Sequence, residues 1–119
     1  MGKEAILNGI SKAVTEAINK AEPGHKVAAA INAIGTSVRI TFIDGQFGKN
    51  SMQFNVEPDG LLTLHNLRLP SSLRKNGVVT NALREIRKLP GLNGYCHVAF
   101  ALDREGWKTI LQRAGFNMV

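Results

Sequence analysis

Apolar and polar positions follow two different periods along this chain. From Lys3 to Ala21, Ile6, Ile10, Ala13, Val14, Ala17 and Ile18 recur at helical spacing, with Glu4, Lys12, Glu16 and Lys20 off that stripe. This predicts an amphipathic helix, ended by Pro23-Gly24. The Ala-rich stretch from His25 to Ala33, closing at Gly35, predicts a second, short helix. The period then falls to two. Val38, Ile40 and Phe42 alternate with Arg39 and Thr41, and after a polar loop Met52, Phe54 and Val56 alternate with Gln53 and Asn55. Pro58-Asp59-Gly60 is a turn signal that leads into a third strand, Leu61 to Leu69.

That third strand changes phase midway. Leu62 and Leu64 share one face, Leu67 and Leu69 have the opposite parity, and the polar pair His65-Asn66 sits at the switch. Two devices account for this: a β-bulge that inserts one residue, or a central strand buried on both faces. Beyond it, the polar loop from Pro70 to Gly77 enters a helix with Val78, Val79, Ala82, Leu83 and Ile86 on one stripe, ended by Leu89-Pro90-Gly91. His97 to Leu102 predicts a short strand. Asp103 is a candidate N-cap for a last helix with Trp107, Ile110, Leu111 and Ala114 on one face. Gly115 ends that helix, and Phe116 to Val119 can begin a strand. Residues 37–69 therefore predict a three-strand antiparallel meander. The strand–helix–strand unit from Leu61 to Leu102 predicts a right-handed crossover between parallel strands. The expected fold class is α/β (α+β): one mixed sheet with helices on its faces.

Composition narrows the class without fixing the function. At 119 residues, 44% hydrophobic and 20% charged, the chain has the length and balance of one globular domain. Its expected divisions are N-terminal helices at 1–35, antiparallel strands at 37–69 and a loop–helix–strand–helix unit at 70–116. No apolar run nears the roughly 20 residues that span a bilayer, and the start lacks a secretory core. With a single cysteine, Cys96, no internal disulfide is available and a multi-Cys metal site is excluded. Three scattered histidines add no metal-ligand spacing. The expected setting is the cytoplasm.

The net charge is +6, and it is unevenly placed. Arg68, Arg74, Lys75, Arg84, Arg87 and Lys88, opposed only by Glu85, put +5 into residues 68–88. Either a polyanionic partner or a solvated basic helix face fits such a run. Within it, Arg74-Lys75-Asn76-Gly77-Val78-Val79 opens a helix. A glycine there lets the backbone approach a ligand closely, and the unpaired N–H groups and dipole of the helix start attract phosphate. Arg74 and Lys75 add formal charge beside them.

The order Leu69-Pro70, Leu73-Arg74, Gly77, then Val79 and Leu83 resembles motif A of the GNAT N-acetyltransferase superfamily. In that motif a strand ending in apolar-x-Pro passes through Arg/Gln-x-x-Gly-x-Gly/Ala into an apolar helix. The later strand, helix and Gly115-Phe116 resemble the family's motif B, and the likeness covers about residues 37–116. The resemblance implies a GNAT-like acyl-CoA N-acyltransferase fold. It further implies that the backbone from Arg74 through Lys75, Asn76, Gly77 and Val78 to Val79 holds the pyrophosphate of acetyl-CoA. The strand edge at Leu67 and Leu69 would pair with the pantetheine arm, and the acetyl group would pass to an amine acceptor. The pattern departs from the family at Val79, where Gly or Ala is usual, and at Leu111, where a tyrosine acid is frequent.

His65, at the phase switch, is the candidate general base, and Asn66 is a candidate either for substrate binding or for stabilising a bulge. Cys96 and His97 point to opposite faces of a strand, which argues against a nucleophile–base pair. Trp107 is read as helix packing, and Tyr95 as lying away from the cofactor side. A second class of function is a non-catalytic GNAT-fold protein, of phage or mobile-element type, binding nucleic acid or a protein through the basic region 68–88. Open sheet edges add the expectation of a homodimer.

Overall fold

A computed structural model describes residues 3–43, 50–73 and 77–119. In chain order these form α1 (Lys3–Ala21), β1 (Val27–Ile31), β2 (Ser37–Phe42), β3 (Ser51–Val56), β4 (Leu62–Leu67), a 3-10 turn (Ser71–Leu73), α2 (Val78–Arg87), β5 (Tyr95–Val98), α3 (Arg104–Ala114) and β6 (Asn117–Met118). The strands make one six-stranded sheet in sequence order. β1 to β4 are antiparallel, whereas β4–β5 and β5–β6 are parallel. The fold is α+β with a mixed sheet, as the change of period predicts.

The expected second helix is instead β1. Alanine favours a helix, but only a few residues separate Gly24 from the next turn, too few to repay helix nucleation. Pairing with β2 satisfies the backbone instead, in the register Val27↔Phe42 to Ile31↔Val38. Gly35, at φ 69°, is not a helix cap but part of the β1–β2 turn. There the Asn32 side-chain oxygen accepts from the Thr36 and Ser37 N–H groups at 2.8 and 3.0 Å. A left-handed glycine serves a helix end and a hairpin equally, so the sequence signal was ambiguous.

The phase switch in β4 is a bulge. Phe54 faces Leu64 while Gln53 faces Asn66, so His65 is the extra residue. It returns Leu67 to the face of Met52, its partner across the strands. Asn66 pins the irregularity by donating to the Ser51 hydroxyl at 2.7 Å. The strand expected at 97–102 runs from Tyr95 to Val98. Residues 99–102 turn away, leaving Leu102 wholly exposed. Asp103 does cap α3, accepting from the Gly106 N–H at 3.0 Å, and Gly115 ends the helix at φ 94°.

Of the helices expected on the faces of the sheet, α1 packs on α2 and α2 on α3, which places all three on one side. Val38, Ile40, Phe42, Met52, Phe54, Val56, Leu62 and Leu64 face them, together with Ile10, Val14, Leu83 and Ile86 from the helices, all buried. Each fully buried Leu, Ile or Phe contributes about 1.5–3 kcal/mol through removal from water. The opposite face is polar. Arg39 donates to Gln53 at 2.7 Å, and Gln53 to Asn55 at 3.3 Å, across β2 and β3. Two layers suffice because β2 and β3 alternate over most of their length between an apolar side and a side that water can wet.

Candidate functional site

The parallel pair β4–β5 stays in register only from Leu62↔Cys96 to Leu64↔Val98. Its last backbone bond runs from the Ala99 N–H to the Leu64 carbonyl at 3.0 Å. β4 then passes through the bulge and remains with β3, the Arg68 N–H donating to the Ser51 carbonyl at 2.8 Å. β5 meanwhile bends into the turn before α3. Because successive residues of a strand turn their polar groups to opposite sides, the N–H and C=O of Leu67 face the side that β5 has left.

A cleft of about 510 Å³ opens at this divergence. Leu67, Arg68 and Leu69 form its β4 wall, Gly77, Val78, Val79 and Thr80 the start of α2, and Trp107 and Ile110 the α3 wall; Asn50 and Leu73 complete it. Seven of its eleven lining residues are apolar, with Leu69, Leu73 and Val78 buried, and Asn50, Arg68, Gly77 and Thr80 add a polar share. Trp107 is half-buried and held edge-to-face against Phe100, with ring centroids 5.6 Å apart.

The polar element of the cleft is the first turn of α2. Gly77 is its N-cap at φ 67°, and no side chain caps the helix. The first N–H group bonded back to it is that of Asn81, at 2.9 Å from the Gly77 carbonyl. The N–H groups before it have no partner inside the helix and lie where the dipole favours an anion. A Cβ at Gly77 would meet only the Asn81 side chain, at 3.8 Å, so glycine is required there by its backbone angle rather than by crowding. Arg74, Lys75 and Asn76 lie outside the described residues.

Of the remaining residues singled out from the sequence, Leu67, Leu69, Gly77, Val78 and Val79 come together at the cleft. His65 is exposed on the bulge and is not among the cleft's lining residues. Asn66 spends its side-chain amide on Ser51, a structural use. Leu111 is fully buried in the core. Cys96 is buried too, and desolvation pushes its thiol up to about 12, so it is no nucleophile near neutrality. The sequence pattern puts Trp107 and Ile110 on the packing face of the last helix and gives no sign that they line a cleft. The missed signal is position: in parallel strands the helix after β5 starts at the same sheet end as the helix after β4.

The basic run is divided among separate tasks. Arg84 and Arg87 donate to the Arg113 and Gly115 carbonyls at 3.3 and 3.0 Å, binding α2 to the C-terminal end of α3. Arg87 also lies over the Phe116 ring, 5.8 Å from its centroid. Lys88 pairs with Glu85 at 3.1 Å. Among the described residues of the run, Arg68 is the cation on the cleft. Among the described residues, no helix is long and apolar enough to cross a membrane. No family model, curated protein or solved structure matches this chain.

Proposed function

We propose that the chain is a minimal GNAT-type, acetyl-CoA-dependent N-acetyltransferase. The observation that carries this reading is the divergence of β4 and β5 into a cleft that ends on an uncapped helix start. The element order supports it: an antiparallel meander, a bulged strand, a glycine-opened helix, a parallel strand and a helix closing on Gly115-Phe116. In this reading the amides at the start of α2 hold the pyrophosphate. The backbone of Leu67 takes the place of a missing strand neighbour for the pantetheine amides. Leu67, Leu69, Val79, Ile110 and Trp107 keep water from the arm.

The chemistry is direct transfer. The amine nitrogen attacks the thioester carbonyl, the C–S bond breaks, and CoA leaves as thiolate. The proton lost by the amine is matched by the one the thiolate gains, so acetyl-CoA and amine give amide and CoA thiol. Leu111 offers no proton, so positioning of the reactants supplies most of the acceleration, with water or the exposed His65 handling the proton. The test is release of free CoA thiol with small, peptide and protein amines, for the parent and for His65→Ala. Acceptor-dependent release supports the proposal. Equal rates for parent and variant remove His65 from it. Bound acetyl-CoA with no release for any amine refutes the transferase reading.

The buried Leu111 favours a second reading, a GNAT-fold protein without catalysis that binds nucleic acid or a protein. Steeply salt-dependent DNA or RNA binding is its mark. The Glu85 carboxylate paired with Lys88 interrupts the basic face, whereas Arg84 and Arg87, bonded to neutral carbonyls, keep their charge.

A further inference from the structure

The sheet has two edges, the two-residue β6 and the five-residue β1, which pairs only with β2. Among the described residues nothing pairs with its outer side. Its sequence, Val27-Ala28-Ala29-Ala30-Ile31, has no charge, proline or bulge, the devices that ordinarily protect an edge. Ala28, Ala29 and Ala30 are exposed, and Ile34 and Ile43 flank the strand at 79% and 58% exposure.

The ladder fixes which backbone groups are free. The Ile43 N–H donates to the Lys26 carbonyl at 2.9 Å, and the Asn32 N–H to the Ser37 carbonyl at 3.1 Å. Even-numbered residues of the strand therefore face β2. Val27, Ala29 and Ile31 turn their N–H and C=O groups outward. Their side chains share the helix-facing side with Phe42, Ile40 and Val38, yet Val27 and Ile31 are only half-buried and Ala29 is exposed.

We infer that β1 is a homodimer edge, pairing antiparallel with β1 of a second copy in the register that sets Ala29 against Ala29. This register is self-complementary. It places Val27 of each copy against Ile31 of the other, so each outward-facing residue meets an outward-facing residue and each such pair exchanges both N–H···O bonds. The symmetric registers centred on residue 28 or 30 leave one outward residue of each strand beyond the facing segment. The half-covered apolar side then continues from copy to copy, Val27 beside Ile31 and Ala29 beside Ala29. Charge permits the contact: Lys26 faces Asn32 of the second copy rather than its own equivalent. The cleft between β4 and β5 is at the far part of the sheet and stays open, so this inference is independent of the proposed activity.

The test is the solution mass of the whole chain by light scattering and sedimentation, with Ala29→Lys and Ala29→Glu variants. The parent is expected at twice its 12.9 kDa chain mass. Each variant alone, facing its own charge, is expected at monomer mass, and an equal mixture of the two should return to dimer mass. A monomeric parent, a dimer untouched by either variant, or failure of the mixture to pair would each overturn the inference. Amide exchange in the parent supplies a readout that needs no variant. Protection of the Ala29 N–H should rise with protein concentration while that of Ala28 stays constant; concentration-independent exchange at Ala29 overturns the inference as well.

Discussion

Replacement of Gly77 separates the backbone requirement of the α2 start from its proposed role as an anion site. Gly77 has φ 67°, in the left-handed region, and a Cβ there would touch only the Asn81 amide at 3.8 Å. Gly77→Ala thus meets no clash, and its cost is the conformational one, about 1–2 kcal/mol of stability. For a domain of this size that lowers Tm by about 5–10 °C. Gly77→Glu carries the same backbone cost plus a carboxylate beside the unpaired N–H groups. At an effective dielectric of about 20, a carboxylate about 5 Å from a phosphate is unfavourable by roughly 3 kcal/mol. That corresponds to about a hundredfold loss of affinity for a phosphate-bearing ligand. Denaturant unfolding should therefore find the two variants equally destabilised, while calorimetric titration with acetyl-CoA should find only the Glu variant strongly weakened. If the Glu variant binds acetyl-CoA as well as the Ala variant, the start of α2 does not hold the phosphates and the reasoning fails.

Three other perturbations probe the frame around the cleft. Asn66→Ala removes the 2.7 Å bond to Ser51, itself only 8% exposed, and should cost about 1 kcal/mol in chemical unfolding, with weaker acetyl-CoA binding because the bulge aims Leu67 at the cleft. Asp103→Ala removes the acceptor for the Gly106 N–H and should cost about 1 kcal/mol by the same assay, since α3 loses its N-cap. Cys96, whose burial raises its thiol from 9.0 to about 12, should resist alkylation at pH 8 until the chain is unfolded. Its linkage has a definite sign: unfolded chains ionise the thiol first, so its stabilisation is present below pH 9.0 and is lost as pH rises toward 12. A Cys96→Val variant should lose that part of the alkaline decline, measured as the difference in unfolding free energy between pH 8 and 10.

The elements with one dominant local signal were legible from the sequence. The stripe of α1, the alternation in β2 and β3, the bulge at His65-Asn66 and the caps at Asp103 and Gly115 all follow from nearest-neighbour chemistry. β1 was not legible, because Ala28, Ala29 and Ala30 favour a helix and only pairing with Thr41, Ile40 and Arg39 makes them a strand. The same non-local origin hid half of the cleft. Gly77 and Val79 carry a motif in sequence, whereas Trp107 and Ile110 join them only because β4 and β5 run parallel and bring both following helices to one sheet end. The single-sided helix layer was equally invisible, since alternation tells which residues are buried but not what covers them.

Trp107, the only tryptophan in the chain, lines the cleft and reports on it directly. The most direct measurement is titration of the intact protein with acetyl-CoA, followed by tryptophan emission, with ATP as a second polyphosphate. The proposed function predicts a saturable change with acetyl-CoA at concentrations where ATP has little effect, because in that proposal the cleft walls take the pantetheine arm and the α2 start takes the phosphates. No change with acetyl-CoA, or an equal response to ATP, would contradict it.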